Sequence, residues 1–200
     1  TSGNLFISTD NPDSIGLFGH TLNATLANIG VTDADITGRS YVGILAGWVE
    51  GGSVSNSHTS GIVKASLQVG GGLVGQNQST IDLSYSLAQV EGVSSYIGGL
   101  VGSNEGSILN SYATGKVLGG ASSNRVGGLV GSNARNYTIT NSYATGEVSG
   151  GTNVGGLVGQ NNGYNYGDGL IQQGKIANSY ATGKVTGVTN VGGLVGENLG

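Results

Sequence analysis

Val126-Gly127-Gly128-Leu129-Val130-Gly131-Ser132-Asn133, with its sequel Ile139-Thr140-Asn141-Ser142-Tyr143-Ala144-Thr145-Gly146-Glu147-Val148, decides the fold, because most of the remaining chain copies it. Val154 to Gly159, Val191 to Gly196, Ile97 to Gly102 and Val69 to Gly75 repeat the first half. Val42-Gly43-Ile44-Leu45-Ala46-Gly47 is a diverged copy and Gly16-Leu17-Phe18-Gly19 a shorter one. The last glycines of these motifs, Gly19, Gly47, Gly75, Gly102, Gly131, Gly159 and Gly196, are separated by 28, 28, 27, 29, 28 and 37 residues. A steady period of this length marks a repeat architecture in which each unit is one turn of a stack.

Composition says what kind of turn. Glycine supplies 41 of the 200 residues, and each glycine in a helix costs about 1 kcal/mol relative to Ala. No segment carries a 3.6-residue apolar period. Each coil instead divides into three short segments rich in Val, Ile and Tyr: Gly-Gly-Leu-Val-Gly, Ile-x-Asn-Ser-Tyr-Ala and Gly-Lys-Val-x-Gly. They are bounded by Gly, Asn and Ser, which favour turns. The expected fold is all-β, a parallel β-solenoid with coils of about 28 residues and three short strands per coil, wound right-handed. Six to seven coils stacked at about 4.8 Å give a rod roughly 30 Å long. Residues 1–14 lack the repeat and read as a lead-in and cap, with Leu5-Phe6-Ile7 as an edge strand. Residues 15–200 form the solenoid, with a loop insertion around 162–174 in the long sixth coil.

Alternation of side chains along a strand places Leu73, Leu129, Leu157, Ile108, Ile139 and Ile176 inward. It also puts Ile108, Asn110 and Tyr112 on one side. Leu83 stands where other coils have Asn, and a place that accepts both reads as interior. Asn28, Asn56, Asn110, Asn141 and Asn178 are therefore expected to form an internal amide ladder. Asn77, Asn104, Asn133, Asn161 and Asn198 are expected at a corner, because Asn tolerates left-handed backbone.

The same residues narrow the function. Glycine is not at every third position, so the chain is not collagen-like. No apolar run is long enough to span a membrane, and the first residues have neither a basic nor an apolar signal region. There is no Cys, hence no disulfide or thiolate metal site. A net charge of −4 with seven scattered Lys and Arg argues against nucleic acid. The Gly-Gly motifs lack the Lys-Ser or Lys-Thr and the following helix of a phosphate loop. Asp13, Asp33 and Asp35 fall in turn-like sequence rather than a catalytic cluster. His58 fits an aromatic column in register with Tyr112. Lys116, Glu147 and Lys184 share one position and are expected to form an outward column of alternating charge. No catalytic residue, cofactor or metal is expected.

The paired motifs, Gly-Gly-Leu-Val-Gly and Asn-Ser-Tyr-Ala-Thr-Gly-x-Val, resemble the bacterial GLUG-motif repeats over about residues 15–200. The first two coils diverge and the sixth is long. The resemblance implies a β-helical, extracellular segment of a large secreted or surface protein, such as filamentous-haemagglutinin-like adhesins and immunoglobulin A peptidase-related proteins.

The function expected is a rigid, adhesive or structural rod. Its partners would be surface glycans or proteins, flanking coils of the same chain, or another copy stacked end to end on an uncapped last coil. Tyr164, Asn165, Tyr166 and Asp168 in the insertion are the candidate ligand-binding residues, because solenoid insertions cluster on one face. Two alternatives stand beside this reading. One is a carbohydrate-active β-helix enzyme of lyase or epimerase type. The other is an ice- or surface-binding solenoid using Thr114, Thr145 and Thr182, although Ser60 and Leu87 interrupt that column.

Overall fold

The computed structural model describes residues 5–10, 14–93, 95–165 and 171–199. Among them there is no helix; the chain winds as a parallel β-solenoid with three sheets running along its axis. One turn shows the plan. Asn124–Gly127 lies in the first sheet, Val130–Asn133 and Thr138–Thr140 in the second, and Tyr143–Ala144 and Val148–Ser149 in the third. Each strand pairs in parallel with its counterpart one turn away, as in Val126↔Val154, Val130↔Val158, Ile139↔Ile176 and Val148↔Val185. Phe6–Ser8 adds an edge strand to Asp35–Thr37.

The faces do not coincide with the sequence segments, because each segment bends across a corner. The Gly-Gly-Leu-Val-Gly segment turns between Gly127 and Val130. There is no room for a side chain inside that bend. A Cβ on Gly127 would lie 2.0 Å from the Val130 carbonyl oxygen, and one on Gly128 would lie 2.1 Å from that of Gly156 in the next turn. This is the reason the glycines recur with the period of the coil.

The second segment bends at Asn141, whose φ is +52°. Asn28, Asn56, Asn110 and Asn178 have the same left-handed backbone, with φ of 58°, 46°, 46° and 49°, and all five are exposed. The internal position expected for this column is thus incorrect. A left-handed residue breaks strand alternation, so Asn110 faces water while Ile108, Ser111 and Ala113 on either side are buried. The ladder itself exists on the outside: Asn56 Nδ2 donates to Asn28 Oδ1 at 2.6 Å, Asn141 to Asn110 at 3.1 Å and Asn178 to Asn141 at 3.3 Å. In the coil that has Leu83, Asp82 accepts from Asn110 instead, at 2.8 Å.

The serine after each Asn secures the bend from within. Ser111 Oγ donates to the Leu109 carbonyl at 2.6 Å and accepts the Ser84 backbone N–H at 3.1 Å. Ser142 and Ser179 continue the pattern, each accepting the N–H of the preceding rung at 3.2 Å. Corner amides that would otherwise be buried without partners are satisfied by one hydroxyl per turn.

The buried amide ladder is the other asparagine column. Asn77 Nδ2 donates to Asn104 Oδ1 at 2.7 Å, Asn104 to Asn133 at 2.8 Å, Asn133 to Asn161 at 2.9 Å and Asn161 to Asn198 at 2.9 Å. The same amides donate a second bond to corner carbonyls, those of Ser79, Gly106, Tyr137 and Gly174. None of this column has the left-handed φ expected from its asparagines.

Two apolar columns fill the rest of the interior. Leu45, Leu73, Leu100, Leu129 and Leu157 stack with Val74, Val101, Val130, Val158 and Ile81, Ile108, Ile139. Val63, Val90, Val117 and Val148 stack with Ile97, Val126 and Val154. Leu73, Leu129, Leu157, Ile108 and Ile139 are fully buried as expected, and Ile176 packs half-buried against the first column.

Leu83 is the misfit of the corner column. It is held at φ +48° with 60% of its surface exposed. Left-handed backbone costs an ordinary L-residue about 1–2 kcal/mol, a cost that Asn largely escapes. Leu83→Asn is therefore expected to stabilise the protein by about 1 kcal/mol, read as a higher denaturation midpoint with an unchanged slope.

Candidate functional site

A rod of this kind presents its chemistry as columns on its outer faces, each residue type repeating at the rung spacing. His58, Tyr85, Tyr112, Tyr143 and Tyr180 form one such column, as the register of His58 with the tyrosines leads one to expect. Successive ring centroids lie 5.0, 4.7, 4.8 and 5.0 Å apart with interplanar angles of 10° or less. Stacked in this way the rings cover each other's faces and turn only edges and hydroxyls outward. The column binds coil to coil, and interior rungs offer no free face to a ligand.

Burial pushes the Tyr112 phenol above its ordinary value of 10.0, and the charges that Tyr85 and Tyr143 would carry push it further. A raised folded-state value means that the neutral phenol is favoured by folding. Its contribution is fully present below about pH 10 and is lost as the pH rises through the folded-state value. Alkaline melting curves should accordingly fall less steeply for Tyr112→Phe than for the parent chain.

Beside the tyrosines, Lys116 and Glu147 pair at 2.8 Å on the surface. The hydrogen bond and charge of Lys116 hold the Glu147 carboxyl below its usual range, and the same bond raises Lys116. Lys184, next along the column, lowers Glu147 further. Both members are charged across the whole neutral range, the carboxylate side failing only as the pH falls through its lowered value. Ser60, Leu87, Thr114, Thr145 and Thr182 lie in register on the adjoining column, and the three threonines are exposed.

The insertion forms a small antiparallel hairpin, Gly163–Asn165 with Ile171–Gln173, outside the three parallel sheets. Tyr164 and Asn165 lie in its first strand. Their side chains, like Tyr166 and Asp168 as a whole, fall outside the described residues.

A second aromatic group escaped the sequence reading. His20 stacks on Trp48 at 4.4 Å, and Tyr41 packs against the same indole at 6.1 Å. Trp48 Nε1 donates to Gln78 Oε1 at 3.2 Å, and His20 Nε2 meets Glu50 at 3.0 Å. Farther along, the Arg125 guanidinium sits 4.8 Å above the Tyr96 ring. Between Tyr41 and Tyr96 lies an open cleft of about 480 Å³, bordered also by Val69, Gln76, Ser103 and Glu105. The available signal in the sequence was alignment: Tyr41, Tyr96 and Arg125 stand directly before the glycine motif, where later coils have Asn153 and Asn190.

Among the described residues no group of three or more His, Asp or Glu converges as a metal site. No helix among them is long and apolar enough to cross a membrane.

The GLUG motif matches residues 93–118, 122–149 and 150–186. The chain is also similar to halomucin of Haloquadratum walsbyi (strain DSM 16790 / HBSQ001), with 36% identity over 91 residues; these are 45% of this chain and 1% of halomucin. The matched stretch thus spans about one hundredth of the length of that curated relative. No solved structure matches the chain.

Proposed function

Residues 93–186 being a run of GLUG motifs, we propose that this chain is a stiff, non-catalytic segment of an extracellular repeat protein, a rod that holds other parts of a surface or secreted fibre at a set distance. The observation that carries this reading is the stacking register, which resumes even after the irregularities between Val31 and Ala34 and between Glu50 and Ser53. The same Val, Leu, Asn, Ser and Tyr positions face one another from rung to rung, even across the 37-residue step of the sixth coil. Residues that repeat in this way serve the stack, and their identity is explained without a substrate.

The similarity to halomucin supports an extracellular setting, and the net charge of −4 suits a solvated surface segment. Protease treatment of intact source cells tests the location: the segment should be lost before lysis, and protection until lysis would contradict the proposal. Incubation with a panel of polysaccharides tests the enzymatic alternative. Turnover abolished by substituting one Asp, Glu or His of the rod would replace the spacer reading with that of a carbohydrate-active enzyme.

A further inference from the structure

We infer that the cleft between Tyr41 and Tyr96 is a glycan-binding site that holds one neutral pyranose ring between the two tyrosine rings. The cleft arises from a gap in a column. Tyr41, Val69, Tyr96, Arg125, Asn153 and Asn190 occupy the same place in successive turns, each directly before a residue of the first sheet. Five of the six have left-handed backbone, with φ of 47°, 60°, 60°, 52° and 51°; of these Tyr41, Tyr96 and Arg125 are half-buried, Asn190 is exposed and Asn153 is buried. Val69 does not share that backbone and is buried at 4% exposure. The two tyrosines are therefore separated by a rung whose member of the column, Val69, is buried, with Leu67 and Gln68 beside it at the border of the cleft.

The dimensions fit a sugar. Two rungs of about 4.8 Å place the tyrosines about 9.6 Å apart along the axis. Carbon contacts of about 4 Å on each side leave space for one saturated ring. The cleft volume of about 480 Å³ lies within the usual range of ligand sites.

Both rings are fixed in advance, Tyr96 by Arg125 on the face away from the cleft and Tyr41 by Trp48. Bulky residues in left-handed backbone are strained, and such strain gathers at functional sites. In the later turns the same place is held by Asn153 and Asn190, which relieves it.

Polar groups stand where hydroxyls of the ring would emerge. Gln76 and Gln78 hold the Glu105 carboxylate through bonds of 3.3 and 2.9 Å, one to each oxygen. Each oxygen keeps acceptor capacity toward the cleft. Ser103 borders the cleft as a further donor and acceptor. The carboxylate would repel an acidic sugar, which selects a neutral one.

The test uses the whole chain, with calorimetric titration of neutral gluco-, galacto- and chito-oligosaccharides and of oligogalacturonate. A neutral oligosaccharide should bind. Tyr41→Asn and Tyr96→Asn should each weaken it at least tenfold, about 1.4 kcal/mol, without lowering the melting temperature, because Asn153 and Asn190 already occupy this backbone. Tyr96→Phe should retain binding. The proposal is overturned if no neutral oligosaccharide binds, if binding survives both Asn variants, or if oligogalacturonate binds equally well. Any of these outcomes leaves the spacer reading intact, since the rod does not depend on the cleft.

Discussion

Leu129→Asp should abolish cooperative folding of the central turns. Leu129 is fully buried, and so are Leu100 and Leu157, its neighbours in the column above and below. A carboxylate at this place finds no cation, and an uncompensated buried charge costs about 3–5 kcal/mol. That is comparable with the whole stability of many domains, about 5–15 kcal/mol. Because each turn is a template for the next, the damage spreads to the rungs on both sides. Circular dichroism should show a reduced β signal at room temperature and a lower unfolding slope in denaturant. Leu129→Met, which conserves volume, should cost less than about 1.5 kcal/mol. A Leu129→Asp protein that melts with the parent would mean that this column faces water.

Asn133→Ala is expected to destabilise by about 3 kcal/mol, from two orphaned groups at about 1–3 kcal/mol each. Asn133 is fully buried. It accepts from Asn104, and it donates to Asn161 Oδ1 at 2.9 Å and to the Tyr137 carbonyl at 3.3 Å. Removing the amide takes the donor from Asn161 Oδ1 and the acceptor from an Asn104 Nδ2 hydrogen, both in the buried ladder, while the Tyr137 carbonyl keeps the Lys175 backbone N–H. Asn141→Ala should cost only about 1 kcal/mol, chiefly from left-handed backbone, because its ladder partners are exposed and can bond to water. Equilibrium denaturation of the two variants orders them. If Asn141→Ala proves the costlier change, the roles given to the two asparagine columns are reversed.

That reversal is the error a sequence invites here, and Leu83 shows why. An apolar residue at a place otherwise held by Asn reads as buried. Yet the left-handed conformation of Leu83 is imposed by the rungs on either side, which set the corner before the side chain has a say. The identity of one residue carries no information about facing where alternation is broken. Asn133 misleads in the opposite sense, since an amide buried by paired corner carbonyls looks, in sequence, like an ordinary turn former.

What repeats was legible: the 28-residue period, the inward Leu129 and Ile139, the His58–Tyr180 column and the charged Lys116–Glu147 pair all follow from register. What interrupts the repeat was not. Tyr41 and Tyr96 stand out only when aligned with Asn153 and Asn190, and Trp48 joins them only once the second sheet is folded beside the corner.

The central claim is that sequence distance converts to axial distance one rung at a time. Thr37, Lys64, Glu91, Leu118, Ser149 and Thr186 lie on one column, each in register with the next. The chain contains no cysteine, so paired substitutions to Cys can be spin-labelled without background. Thr37→Cys with Thr186→Cys spans five rungs, and electron–electron dipolar spectroscopy should find a narrow distribution near 24 Å, five steps of about 4.8 Å. Lys64→Cys with Thr186→Cys should be shorter by one step. A broad distribution, or a separation that does not shrink with the rung count, would contradict the rod.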